Sequence, residues 1–213
     1  MEDITTPREK ILKKVRAGLL NKFAAHFPDV EMETDIFHYP DEDHAVSFAK
    51  HFTSMGGGFI YCHNNFDFHE NLIIWMEKKG IKQLLVSDPD LRREIDNLGL
   101  PLSDKLEDHP DQSAALVAAE ALTARNGGLL FSSATTQRDY LAGAPIVAVY
   151  GKLSKMGDDM RQALVTLKNR YGEKLPSLIT FVQGPVKENN ATGARKELVL
   201  FLVNDQNKRS DIQ

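Results

Sequence analysis

Short apolar runs alternate with helical patterns along this chain, and that alternation restricts the fold more than any other feature. FIYC at residues 59–62 and QLLVS at 83–87 are rich in strand formers and too short for buried helices. Between them, Leu72, Ile73, Trp75 and Met76 recur at helical spacing. Asp67 and Glu70 open that segment as a capping-box pair, and Gly80 stops it. Asp88 and Pro89 start a further helix through Ile95 and Leu98 to Gly99. Strand, helix, strand, helix implies parallel strands joined by crossover helices.

The flanking segments extend this pattern. Thr5, Thr6 and Pro7 signal a helix start, followed by Ile11, Leu12, Val15, Leu19 and Phe23 on one stripe. Asp41 or Asp43 can cap a second helix through Ala45, Val46, Phe48, Ala49 and Phe52, ending at the glycines 56–58. Those glycines precede a strand, whereas a phosphate loop follows one and opens a helix, so no phosphate loop is expected there. LPLSDKLEDHPDQ reads as a surface connection, and the alanine-rich SAALVAAEA leads into the segment 121–133. TTQRDYLAGA is a polar excursion in which Arg138 and Asp139 read as a solvated loop. PIVAVYG is a strand, and Asp158 to Arg170 a helix. SLITFVQGP (177–185) and KELVLFLVND (196–205) are the last strands. The expected fold is α/β, a three-layer, largely parallel sheet between helices, with antiparallel additions near its end. Residues 1–40 form a helical extension, 41–205 the α/β domain and 206–213 a tail.

Composition removes several function classes. A net charge of -4, with both signs spread along the chain, offers no basic stripe for nucleic acid and no polybasic membrane anchor. No apolar run approaches the roughly 20 residues that span a bilayer. The opening MEDITTPREK has no signal-peptide core, so the expected location is cytoplasmic. Cys62 is the single cysteine, which excludes an intramolecular disulfide and a cysteine-based structural zinc site. This chain alone also lacks the four ligands of a usual iron–sulfur cluster, so any such cluster belongs to a partner protein.

Site candidates gather around ALTARNGGLLFSS, residues 121–133. Two short strands flank Arg125, Asn126, Gly127 and Gly128, a turn where bare backbone N–H groups could meet a ligand. Arg125 could hold a carboxylate or phosphate bidentately. Ser132 and Ser133 end a strand, a place where ligands approach open α/β sheets, but no nucleophile elbow surrounds them. Glu120 is the one carboxylate beside this stretch. It is a candidate acid or base, set against the commoner outcome of an exposed glutamate at the end of an alanine-rich helix. Cys62, His63 and His69 are close in sequence, yet they fall on a strand end and a helix, and no metal site is expected.

The order ALTARNGGLLFSS, PIVAVYGKLSKM, helix, LPSLITFVQGP and KELVLFLVND, with GGGFIYCHNN upstream, resembles the lactate-utilisation protein C family, or LUD domain, over about residues 40–205. The resemblance implies a fold similar to the sugar-phosphate isomerase and CoA-transferase group. It also implies a role in oxidising lactate to pyruvate beside iron–sulfur partner proteins, with no cofactor bound by this chain. By family position, Gly184 and Pro185 join the ligand-binding set. After them the family carries a Ser-Arg-Thr-Ala-Asp-Ile-Glu run and a His-Gly-Pro, and here VKENNATGARKELV lacks those carboxylates and the histidine. Three readings follow: a lactate-utilisation subunit, a small-anion or nucleotide binding module with a degenerate site, and an isomerase- or transferase-type enzyme on a sugar phosphate or acyl thioester. Homo-oligomerisation stays open in all three.

Overall fold

The computed structural model describes residue 13 and residues 43–105, 112–184 and 196–206. The last three stretches belong to one compact unit, Asp41–Gln213. Apart from residue 13, the expected N-terminal helix lies outside the described residues, as do Pro185 and nearly all of the expected tail.

The first described helix, α1 (His44–Ser54), begins where Asp43 accepts a hydrogen bond from the Ala45 amide at 2.8 Å. It buries Phe48 and Phe52, whose rings stack 5.4 Å apart. Next come β1 (Gly58–Cys62) and α2 (Asn65–Lys79). Asn64 caps α2, not Asp67. Asn64 Oδ1 accepts the Asp67 amide at 2.9 Å, and Asp67 Oδ2 accepts the His63 amide at 2.8 Å. Asp67 therefore takes up the amide just before the cap, and the helix starts earlier than its sequence signal suggests. β2 (Gln83–Val86) leads to α3 (Pro89–Asn97), capped by Asp88 as expected.

After β3 (Leu102–Ser103), the alanine-rich stretch is itself a strand, β4 (Ser113–Ala118), with every residue buried. A parallel strand covered on both faces reads as a continuous apolar run rather than an alternating one, which disguises it. β5 (Ala121–Thr123), a single 3-10 turn (Ala124–Asn126) and β6 (Gly128–Ser132) form an antiparallel hairpin. The segment expected as a solvated loop contains a short helix, α4 (Arg138–Gly143). Tyr140 and Ala144 fix it in place by packing into the core one turn apart. The chain continues with β7 (Ile146–Lys152), a 3-10 turn (Leu153–Lys155), β8 (Met156–Gly157), α5 (Met160–Tyr171), β9 (Ile179–Gln183) and β10 (Glu197–Val203).

Six strands make one fully parallel sheet in the order β1-β10-β7-β4-β2-β3. The remaining strands form a second, mixed sheet, β8-β5-β6-β9, in which β6 runs antiparallel to β5 and β9, and β8 runs parallel to β5. Alternate residues of the large sheet serve its two faces. Leu84, Val86, Leu116 and Phe201 meet Phe68, Leu72 and Trp75 of α2 and Leu91 and Ile95 of α3. Leu85, Val117, Val149 and Leu200 meet Phe48 and Phe52 of α1 and Leu122, Leu129 and Phe131 of the small sheet. Ala163 and Leu167 of α5 cover the far side of the small sheet at Ala121 and Leu130. The expected α/β architecture is present, with a sheet as well as helices on one face.

Candidate functional site

Neighbouring parallel strands whose following connections leave on opposite faces open a crevice at their carboxyl ends. β2 and β4 are such a pair. From β2 the chain passes through Ser87 and Asp88 into α3 on one face, and from β4 it passes through Ala119 and Glu120 into the small sheet on the other. Ser87 and Thr136 tie the mouth together. Ser87 Oγ donates to Thr135 O at 2.8 Å, and Thr136 Oγ1 donates to Ala118 O at 3.5 Å.

Glu120 lies at this point and is buried. Its Oε1 accepts from Tyr171 Oη at 2.6 Å, Ser132 Oγ at 2.8 Å and Thr135 Oγ1 at 3.1 Å. Its Oε2 accepts from a terminal Arg170 nitrogen at 2.6 Å. The last turn of α5 supplies both Arg170 and Tyr171, so the helix that covers the small sheet also closes the site. Burial pushes the Glu120 pKa up. Hydrogen bonds from Tyr171 and Ser132 and the charges of Arg170 and Lys155 outweigh that push and hold the carboxyl below its ordinary value. Glu120 is therefore a fixed anion at neutral pH.

Lys155 approaches from the turn after β7 and donates from Nζ to Ala119 O at 3.1 Å. Burial, then the neighbouring Arg170 charge, draws its pKa below the ordinary lysine value. Glu120 pulls in the opposite direction, Lys152 adds to the lowering and Asp88 opposes it. Arg170, bonded to the Glu120 carboxylate, and Lys155, on the carbonyl just before it, bring two basic side chains to this one carboxylate. An anion with hydrogen-bond acceptors fits such surroundings.

The structure divides the sequence candidates between two places. Glu120 and Ser132 meet in the crevice, and Glu120 is buried at a strand end rather than exposed on a helix. Ser133 is exposed beside it, its Oγ 3.3 Å from that of Ser177. Arg125, Asn126, Gly127 and Gly128 lie at the other end of the β5–β6 hairpin, about 10 Å of strand away. There the Gly128 amide donates to Thr123 Oγ1 at 3.2 Å, and Gly127, at φ +60°, packs on the backbone of α1. The double glycine thus has a packing role. Gly184 also abuts α1, at Met55. Cys62, His63 and His69 are held apart. His69 Nε2 sits 2.6 Å from Glu94 Oε1, the His63 ring meets Tyr61 edge-on, and Cys62 is buried with its thiol pKa pushed up to about 12 by burial, then by the charge of Asp67. A groove of about 520 Å³ lies between α1 and β1, lined by Val46, Ala49, Phe59, Tyr61 and Leu153 among others, and none of the Glu120 partners reaches it.

Lys155, Arg170, Tyr171 and Thr135 were missed by sequence reasoning, because only the fold brings them to Glu120. The arrangement defines an α/β protein with a cationic crevice at the carboxyl ends of its parallel strands. No protein-family model and no curated protein matches the chain. Among solved structures, a DUF162 family protein from Deinococcus radiodurans superposes on it with a TM-score of 0.56 at 9% sequence identity, over 76% of this chain and 96% of that one. A likeness at that identity shows a shared fold.

Proposed function

We propose that the crevice at Glu120 binds a small organic carboxylate and that the protein serves lactate utilisation, the role its LUD-like sequence pattern implies. The observation that carries this reading is the pairing of the buried Glu120 carboxylate with the half-exposed Arg170, with Lys155 beside them. Glu120 satisfies one face of the guanidinium, leaving further N–H groups for a second carboxylate. Iron–sulfur clusters then belong to partner subunits, because this chain has one cysteine. The four donors on Glu120 favour this reading over an isomerase or transferase, whose chemistry needs a carboxylate free to move a proton or carry a group.

Calorimetric titration with lactate, pyruvate and inorganic phosphate tests it. Arg170→Ala is expected to weaken carboxylate binding by about tenfold or more, about 1.4 kcal/mol, while Arg125→Ala leaves it unchanged. Full affinity in Arg170→Ala would exclude the crevice. A loss in Arg125→Ala would return the site to the hairpin turn.

A further inference from the structure

We infer that Lys155 forms an imine with the carbonyl carbon of a 2-oxo acid in the Glu120 crevice, an inference that rests on the carboxylate-binding reading above. The turn after β7 delivers Nζ to Ala119 O, the carbonyl immediately before Glu120. That partner is neutral. Glu120, the nearest carboxylate in sequence, is engaged by Arg170, Tyr171, Ser132 and Thr135. A lysine paired with a carboxylate keeps its proton, whereas one resting on a carbonyl beside other cations releases it more readily. The lowering of the Lys155 pKa by burial and by Arg170 agrees with that geometry.

The same surroundings suit the rest of a 2-oxo acid. The remaining N–H groups of Arg170 answer its carboxylate, while the lone pair of neutral Lys155 attacks the adjacent carbonyl carbon. A carbon–nitrogen bond forms, and the amine's two protons leave with the carbonyl oxygen as water. A carbon–nitrogen double bond remains. No electron donor or acceptor is required, consistent with a chain that supplies no cluster.

The test treats the full-length protein at about pH 7.5 with pyruvate and sodium cyanoborohydride, followed by intact mass measurement and peptide mapping. A single reduced adduct on Lys155 is expected, in about tenfold or greater excess over any other lysine, because an ordinary lysine is almost fully protonated at that pH. Lys155→Arg, which retains a cation, is expected to lose the adduct while keeping its melting transition. Equal labelling across the lysines, or none at Lys155, overturns the imine. A thermal shift measured in parallel separates the two readings. Pyruvate that stabilises the protein without labelling Lys155 overturns the imine alone. Pyruvate that neither stabilises nor labels overturns it together with the carboxylate-binding reading.

Discussion

Glu120 shows how a single buried charge couples the site to stability. Its carboxyl is held below the ordinary range, so the folded state binds its proton less readily than the unfolded chain does. The stabilisation is therefore complete above the ordinary glutamate pKa of about 4.3 and is lost as pH falls through the lower folded value. Glu120→Gln is expected to cost about 2 kcal/mol at pH 7, the scale of removing a charged hydrogen-bond acceptor. The gap between the two proteins should narrow as pH drops below about 4.3 in denaturant titrations. A gap that stays constant with pH would show that the charge contributes nothing. Cys62 makes the opposite case. Burial and the charge of Asp67 push its thiol up to about 12, so the native protein offers almost no thiolate at pH 8. Ellman's reagent at pH 8 should leave Cys62 unmodified until denaturant is added, and prompt labelling of the native protein would contradict its burial.

The β5–β6 hairpin illustrates what an element's sequence discloses and what it hides. Its two strands and its turn were legible because breakers bound short apolar runs, but the reason for the glycines was not. A Cβ on Gly127 would stand 2.6 Å from the Phe52 amide nitrogen, at a residue with φ +60°. Gly80 shares the left-handed conformation, φ +68°, with nothing within 4 Å of where a Cβ would stand. Gly80→Ala should cost about 1 kcal/mol, from backbone conformation alone. Gly127→Ala should cost about 3 kcal/mol, since α1 must also shift. Equal losses in urea denaturation would remove the packing argument. β4 and the site beyond it were harder to read. SAALVA lacks the alternation of a half-exposed strand and carries a single β-branched side chain, Val117, so its centrality emerges only from its neighbours β2 and β7. Glu120 and Ser132 were visible as the hairpin's flanks. Arg170 and Tyr171 close a helix whose residues carry no sign of where its last turn docks.

At the scale of the molecule, the large sheet joins the core under α2 and α3 to the core shared with α1 and the small sheet. Its β4 and β7 send Leu116 and Ala148 toward α2 and α3, and Val117 and Val149 toward the small sheet and α1. The small sheet cannot bury its inner face without them. Leu122, fully buried in β5, packs against Gly151 of β7, where a Cβ on the glycine would meet the leucine methyls at 3.2 Å. The single tryptophan, Trp75, lies in α2 on the far face, edge-on to Phe201 at 5.7 Å. Leu122→Ala is expected to cost about 3 kcal/mol, which for a domain of this size lowers Tm by roughly 6–12 °C. If the layers unfold as one, Trp75 fluorescence and far-ultraviolet circular dichroism will report the same displaced transition, although the mutated side chain and the reporter are on opposite faces. If the small sheet melts alone, circular dichroism will show an early phase while the Trp75 transition stays where it was. That second outcome would detach the site as well, because Glu120, Ser132, Arg170 and Tyr171 are all carried by the small sheet and its covering helix. Carboxylate binding would then fade with the first phase, ahead of the loss of the parallel sheet.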